Sequence, residues 1–170
     1  MKNKYFLQLI IFAGMFSLIS ATCNVTFNGG TIPDGINTIT INNFPNQSNF
    51  VSTTLSQTFT ESLKDKFLRE TKLTLADASG DWELTGAITG YQSSPIAPTG
   101  NETTALNRLT ITVKVEFTDN KNSDGGWTQS FSRYEDYEST KTLQQAEGDL
   151  NQKISEQIAD DIYQKLTQNW

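Results

Sequence analysis

The sequence predicts an α+β fold, a two-layer sandwich in which two helices cover the same face of a β-sheet. Three observations support this prediction. Two stretches repeat apolar residues at intervals of four, as one side of a helix does. One stretch alternates apolar and polar residues without a break, as a strand with one buried face does. The elements are also ordered as strand, helix, several strands and helix, which allows both helices to pack on one side of the sheet.

The first predicted elements are a strand and a helix. Residues 36–41 (INTITI) alternate apolar and polar side chains, and the turn-forming residues 43–46 (NFPN) end the strand. Thr54 and Gln57 fit a capping box at the start of the helix that follows, and residues 73–75 predict a short strand after it. The apolar face of this helix consists of Leu55, Phe59, Leu63 and Phe67.

The middle of the chain predicts a further strand followed by a long connection. Residues 82–91 carry apolar side chains on one face, and Gly86 and Gly90 within them indicate a bulge or a close approach of another backbone segment. Residues 93–107 contain two prolines and predict a loop between two strands. Loops of this length inside compact domains are either functional or disordered, and the sequence leaves both interpretations open.

The strongest strand pattern lies at residues 109–117 (LTITVKVEF), where the odd-numbered positions are apolar and the even-numbered positions are polar. An Asp-Gly turn at 124–125 predicts a hairpin whose second strand is residues 127–137. The chain ends in a long amphipathic helix, for which Thr142 and Gln145 form a second predicted capping box. The apolar band of this helix consists of Leu143, Ala146, Leu150, Ile154, Ile158, Ile162 and Leu166, broadened by Tyr163 and Trp170.

The N-terminus has the layout of a secretory signal. Two lysines precede an apolar run at residues 5–19, which is shorter than the roughly 20 residues that a membrane-spanning helix needs. Cys23, the only cysteine in the chain, follows this run. Ordinary cleavage would leave a free thiol on an exported protein, whereas lipoprotein processing would attach acyl chains to Cys23 and so explain its presence. We therefore expect residues 1–22 to be a lipoprotein signal peptide and residues 23–170 to form the mature domain.

The composition argues against several classes of function. The net charge of −6 and the absence of clustered Lys and Arg make nucleic acid an unsuitable partner, because phosphate contacts need basic side chains. The chain has no histidine, which is the commonest general base and metal ligand. We therefore expect no enzyme activity, no metal site and no cofactor. Ser, Thr, Asn and Gln account for 62 of the 170 residues, so short neutral hydrogen-bonding groups should coat much of the surface.

Two kinds of acidic motif have structural interpretations. Residues 120–131 resemble a calcium-binding loop, but Phe131 occupies the position of the required bidentate Glu, so a hairpin turn is the better interpretation. The acidic residues at 135–138 and at 160–161 are sequence neighbours whose side chains point apart. This arrangement favours solvated faces over a catalytic pair of carboxylates.

Two basic residues are candidate contacts for phosphate on a lipid headgroup. Arg108 lies where the predicted connection at 93–107 meets the strongest strand, and Lys114 lies on the polar face of that strand. A role in surface solubility alone is the alternative for each of them.

The same stretches, taken together, resemble one protein family. The matching segments follow one another along nearly the whole mature chain. They are CNVTFNGGTIPDGINTITINNFPN, LSQTFTESLKDKFLRETKLTL, GNETTALNRLTITVKVEFTDN, WTQSFSRYEDYES and the helix that ends at Trp170. In this order they resemble the LptE lipoproteins of lipopolysaccharide assembly, in the form found in Bacteroidetes-type bacteria.

The resemblance implies a fold, a location and a partner. The fold is two helices on one face of a roughly four-stranded mixed sheet. The protein would be anchored by lipid at the periplasmic face of the outer membrane. There it would plug an LptD-type β-barrel, assist the assembly of that barrel and contact lipopolysaccharide on its way to the outer leaflet. Basic residues make this contact in other members of the family, and Arg108 and Lys114 are the candidates by charge and position.

Two alternatives come from other classes of protein. One is a stand-alone periplasmic lipoprotein that holds an amphiphilic ligand between sheet and helices. It requires an internal cavity, whereas the closely spaced apolar residues of both predicted helices indicate a filled core. The other is an enzyme with Ser–Lys or Asp-based chemistry, for which the sequence shows no nucleophile motif.

Overall fold

The computed structural model describes residues 32–50, 52–97 and 105–168, which form two helices and five strands. The predicted signal peptide, Cys23 and Trp170 lie outside the described residues, as does the 98–104 part of the predicted connection. In chain order the elements are β1 (Thr38–Ile41), α1 (Leu55–Glu70), β2 (Thr74–Leu75), β3 (Trp82–Ile96), β4 (Leu106–Asp119), β5 (Trp127–Glu138) and α2 (Leu143–Thr167).

The strands form one mixed sheet in the order β2-β1-β3-β4-β5. β1 lies between β2 and β3 and runs parallel to both, while β3, β4 and β5 pair antiparallel as consecutive neighbours. The helix α1 carries the chain from β1 across to its parallel neighbour β2, because parallel strands need such a crossover. The sheet is mixed as expected, with five strands rather than roughly four.

Both helices pack on the same face of the sheet, which confirms the predicted two-layer α+β sandwich. The helices contact each other, and α2 lies against β4 and β5 while α1 lies against β1 and β2. Apolar side chains from both helices and from the facing side of the sheet form one buried cluster. The largest fully buried side chains are those of Phe44, Phe59, Phe67, Trp82 and Phe117.

The apolar patterns of the sequence correspond closely to burial. The four predicted apolar residues of α1 are fully buried, and the repeat in α2 from Leu150 to Leu166 is at most 6% exposed. In β4 the odd-numbered side chains from Leu109 to Phe117 are at most 2% exposed, whereas Lys114 lies in solvent. One-sided burial therefore produced the periodicities on which the prediction of these elements rested.

The two predicted capping boxes have different outcomes. At the start of α2 the Thr142 side chain accepts the backbone N–H of Gln145, and the Gln145 side chain accepts the backbone N–H of Thr142, which confirms the prediction. The capping box predicted at Thr54 is wrong, since its side chain makes no capping hydrogen bond. A capping side chain reaches the first turn from an extended backbone, whereas Thr54 has helical angles of φ −99° and ψ −18°. Gln57 instead donates to Glu61 at 2.8 Å.

β3 and β4 are longer than the sequence predicts. β3 continues past Tyr91 to its end at Ile96, which pairs with Leu106 at the start of β4. Residues 93–96 and 106–107 of the predicted connection are therefore part of a β-ladder, and residues 97–105 link the two strands. The prediction was wrong because this stretch is polar on both faces and contains Pro95, which normally argues against a strand.

Two glycines of β3 lie where its geometry departs from a regular strand, as predicted. The register with β4 shifts between Ile88 and Gly90, which is a bulge. At Gly86 a β-carbon would lie 2.0 Å from the carbonyl oxygen of Lys114 and 2.7 Å from a ring carbon of Phe44. Only glycine therefore allows β3 and β4 to approach at this position.

The predicted hairpin between β4 and β5 is confirmed, although its turn is longer than the two residues predicted. The connection covers residues 120–126, and the N–H of Gly125 donates to the carbonyl of Asn122 at 3.0 Å. Asp119, at the end of β4, accepts the N–H groups of Lys121 and Asn122 at 2.9 and 3.0 Å. These hydrogen bonds start the turn at the end of β4, before the Asp-Gly pair at 124–125.

Candidate functional site: the open face of the sheet

The helices cover one face of the sheet and leave the other uncovered along β4 and β5. The even-numbered residues of β4 point to this uncovered side, and each pairs with a residue of β5 that also points there. We call these ten side chains the open face. They are Arg108, Thr110, Thr112, Lys114 and Glu116 of β4 and Thr128, Ser130, Ser132, Tyr134 and Asp136 of β5.

The middle of the open face is rich in hydroxyl groups. The hydroxyls of Thr112 and Ser132 lie 3.0 Å apart across the two strands. Thr89, at the bulge in β3, donates to the carbonyl of Thr112 at 3.4 Å. Ser130 and Thr128 are exposed beside them. This part of the molecule therefore offers short, neutral groups that both donate and accept hydrogen bonds.

One end of the open face carries a charged cluster. Arg108 donates two hydrogen bonds to Asp136, from Nε at 2.7 Å and from Nη2 at 2.9 Å. The same guanidinium lies 3.7 Å from the ring centroid of Tyr134, which is 51% exposed. The hydrogen bond from Arg108 lowers the pKa of the Asp136 carboxyl, so this pair is held in its charged form. The three side chains form one preorganised unit.

Lys114, the second predicted contact, lies on the same face but not in the same cluster. It is six residues from Arg108 along β4, a separation of roughly 20 Å. Its side chain is exposed, and it has no ion-pair partner among the residues that the structure describes. Arg108 is therefore a paired cation, whereas Lys114 is unpaired among the described residues.

The predicted acidic clusters point apart, as expected, but several of their carboxylates bind neighbouring elements instead of facing solvent alone. Two such contacts join β5 to α2, and a third joins α1 to α2. The pairs are Arg133 with Asp161 (2.5 and 2.6 Å), Gln157 with Glu135 (2.6 Å) and Lys66 with Asp160 (2.7 Å). The acidic residues therefore help to fix both helices on the sheet.

Two grooves lie at the ends of the sandwich and open to solvent. One of about 460 Å³ lies between residues 32–37 and 70–73, and one of about 260 Å³ lies between residues 136–138 and the first turns of α2. The interface between helices and sheet is filled by fully buried side chains. Within the described ranges, no group of three or more His, Cys, Asp or Glu residues could hold a metal ion. No described helix is long and apolar enough to cross a membrane.

Several solved structures share this fold. A minor lipoprotein from Acinetobacter baumannii is 15% identical, with a TM-score of 0.51 over 78% of this chain and 93% of that one. A putative neuraminyllactose-binding hemagglutinin homolog from Helicobacter pylori is 11% identical, with a TM-score of 0.52 over 82% and 88%. Rare lipoprotein B from Shewanella oneidensis is 15% identical, with a TM-score of 0.44 over 76% and 94%. At these identities the first two comparisons show a common fold.

Sequence comparison defines the family more narrowly than the fold does. A search of curated proteins finds no match. The sequence model of one family, described as LptE and lipopolysaccharide-assembly, matches residues 36–166. This match begins before β1 and ends within the last turn of α2, so it covers every strand and both helices. The chain belongs to the LptE family of lipopolysaccharide-assembly proteins.

Proposed function

We propose that this protein is an outer-membrane lipoprotein that plugs the lumen of an LptD-type β-barrel. In this role it would assist the assembly of the barrel and the delivery of lipopolysaccharide to the outer leaflet. Membership of the LptE family supports a role in lipopolysaccharide assembly. The observation that carries the more specific proposal is the open face, a hydroxyl-rich side of the sheet that no other described element covers.

The chemistry of the open face suits a barrel lumen. The interior of an outer-membrane barrel is polar, and neutral hydroxyls can exchange hydrogen bonds with such a wall. Burying them costs less than burying charged groups would. Thr112 and Ser132 lie at the centre of this surface, and Lys114 lies beside them, opposite Ser130. The other charged residues lie toward the ends of the surface. The filled core behind the sheet gives the surface a fixed shape.

Photo-crosslinking in cells tests this proposal. A photoreactive residue is placed at Ser130 or Ser132 on the open face, and at Glu61 on the exposed side of α1 as the control. We expect a large outer-membrane barrel protein as the main adduct from both serine positions, with a weaker adduct from Glu61. Depletion of the protein should also leave this barrel misassembled. Adducts from the open face that contain no outer-membrane channel, or a barrel unaffected by depletion, would contradict the proposal.

The proposed lipid anchor is tested separately at Cys23. In this part of the proposal, residues 1–22 are removed as a signal peptide and Cys23 becomes the acylated first residue of the mature domain. Cys23→Ser should then yield soluble periplasmic protein when cells are fractionated. Undiminished membrane attachment of the variant would show that another feature anchors the protein.

The direct contact with lipopolysaccharide is proposed for the basic residues of the open face. Lys114 is the better placed of the two, because it is exposed and unpaired within the described residues. Arg108 is already bound to Asp136 through two hydrogen bonds, so a phosphate would have to compete with that carboxylate.

The alternative of a stand-alone amphiphile-binding protein has less support. It needs a hollow between helices and sheet, where Phe44, Phe59 and Trp82 are instead fully buried in one continuous apolar cluster. If native mass spectrometry of the purified protein detected a copurifying lipid bound inside the domain, that result would support this alternative.

A further inference from the structure

A buried polar cluster lies on the helix side of the sheet, where three parts of the chain meet. Its members are Ser52, which precedes α1, Tyr91 on β3, and Asn151 and Ser155 on α2. All four residues are at most 8% exposed. Polar groups in such positions normally have hydrogen-bond partners.

One direct hydrogen bond holds the cluster together, in which the Nδ2 of Asn151 donates to the Oγ of Ser52 at 3.3 Å. Three other polar atoms are fully buried and have no hydrogen-bond partner among the described residues. They are the OH of Tyr91, the Oδ1 of Asn151 and the Oγ of Ser155. Unpaired burial of this kind is unfavourable, because each group loses its bonds to water on folding.

Two of the unpaired atoms belong to Tyr91 and Asn151, whose side chains face each other. Ser155 is one turn from Asn151 on the same side of α2. Burial, followed by the charge of Glu147, raises the pKa of Tyr91 to about 12, and a polar interaction with the Asn151 side chain opposes this shift. Yet no direct hydrogen bond satisfies the Tyr91 hydroxyl. When two polar groups face each other beyond hydrogen-bond distance, a bridging water is the usual link.

The donors and acceptors present define what can bind. The protonated phenol of Tyr91 can donate, the amide oxygen of Asn151 accepts, and the hydroxyl of Ser155 does either. The bound group must therefore both accept and donate hydrogen bonds and carry no charge. It must also be small, since neither surface groove is lined by these residues. Phe50 stacks on the Tyr91 ring with centroids 4.9 Å apart, which limits access from that side.

We propose that this cluster is a binding site for one buried water molecule, which bridges Tyr91 to Asn151 and Ser155. An ordered internal water needs two to four polar partners, and this cluster offers three. The water would link β3 to α2, and through the bond between Asn151 and Ser52 it would also link the segment that leads into α1.

Paired tyrosine variants test the proposal. Tyr91→Phe removes the hydroxyl that would bond the water, and Tyr137→Phe is the control, since its hydroxyl bonds directly to Ser93 at 2.8 Å. If the water is present, both variants should raise the unfolding equilibrium constant by a similar factor of roughly 2 to 13, the loss of one buried hydrogen bond. If Tyr91→Phe leaves that constant unchanged or lowers it, the hydroxyl has no partner and the proposal is overturned.

A crystal structure at high resolution provides the direct measurement. We expect a water oxygen within hydrogen-bond distance of both the Tyr91 hydroxyl and the Asn151 side chain. In Tyr91→Phe the same water should be lost or should shift toward Ser155. A dry contact between these side chains in the unmodified protein would overturn the proposal, whatever the stability measurements show.

Discussion

Arg108 of β4 and Asp136 of β5 are directly opposite each other on the open face and form a two-pronged ion pair at 2.7 and 2.9 Å. The charge of Arg108 is thus matched within the protein, whereas Lys114 on the same strand has no such partner in the described residues. This difference ranks the two residues as contacts for an anionic lipid, and the ranking can be measured.

Lys114→Gln should weaken binding of lipopolysaccharide by about two- to fivefold at low salt, the effect of one exposed charge. Asp136→Asn should have the opposite effect, because it releases the guanidinium of Arg108 to meet phosphate. The effects of both substitutions on binding should be smaller at high salt, because salt screens the charges. Binding measured at two salt concentrations provides the test. Lys64→Gln removes the same charge from α1 and should leave binding unaltered, and an equal loss from this control would show that net charge alone matters.

Gly86→Ala should destabilise the fold by roughly 2–4 kcal/mol. The added carbon would lie 2.0 Å from the carbonyl oxygen of Lys114, so β3 and β4 would have to separate there. Gly148→Ala is the matched control, because Gly148 lies inside α2 and a β-carbon there would have no heavy atom within 4 Å. That change should stabilise the protein by about 0.5–1 kcal/mol through helix propensity. Urea denaturation of both variants gives the free energies, and similar values for the two would refute the steric argument.

Thr142→Ala should destabilise the protein by about 1 kcal/mol, since it removes half of the capping box at the start of α2. Thr54 occupies the corresponding position of α1 but makes no capping bond. Thr54→Ala should therefore change the free energy of unfolding by no more than about 0.5 kcal/mol. Thermal or urea denaturation of the two variants side by side measures the difference. Equal effects would mean that the cap at Thr142 contributes nothing specific.

Asp81 should make stability depend on pH in the acid range. Its carboxylate accepts the N–H groups of Asn37 and Thr38 at 2.8 and 3.1 Å and pairs with Lys121 at 3.1 Å. These contacts, the bond from Asn37 first, lower its pKa from 3.8 to about 2. Because the folded pKa is the lower one, ionised Asp81 stabilises the fold above about pH 4, and this contribution is lost as the pH falls toward 2.

Denaturation from pH 2 to pH 7 measures this contribution. Asp81→Asn should flatten the dependence between pH 4 and pH 2 and lower stability at neutral pH. Asp124→Asn, a change at the exposed turn between β4 and β5, should leave the curve as it is in the unmodified protein. A curve for Asp81→Asn that matches the unmodified one would show that other carboxylates control the acid transition.

Elements with one buried and one solvated face could be predicted from the sequence. The four-residue repeats of α1 and α2 and the alternation in β4 all record such one-sided burial. The ends of β3 could not be predicted in the same way, because residues 93–96 have polar or proline side chains at most positions and extend an existing ladder with β4. Pairing with a neighbour, rather than a pattern of its own, determines the structure of that segment.

The candidate site could be predicted only in part. Charge and position identified Arg108 and Lys114, and the structure places both on one face of β4. The partners Asp136 and Tyr134 were missed, because finding them requires the register between β4 and β5. The turn begins at Asp119, before the Asp-Gly pair at 124–125. The register between β4 and β5 therefore differs from the register that a two-residue Asp-Gly turn would give. The turn geometry at the end of β4, together with the apolar pattern of both strands, determines which residues meet on the open face.

The position of β1 in the sheet limits the distance between the folded domain and a membrane to which its N-terminus is anchored. β1 pairs with β2 on one side and β3 on the other, and Asp81 holds the chain at Asn37 and Thr38. Ile32 and Ile36 also pack against the core, so the chain is held from residue 32 onward. If acyl chains at Cys23 tether the protein, the stretch from Cys23 to Ile32 spans at most about 32 Å, at up to about 3.6 Å per residue. The folded body would therefore work within a hemisphere of that radius.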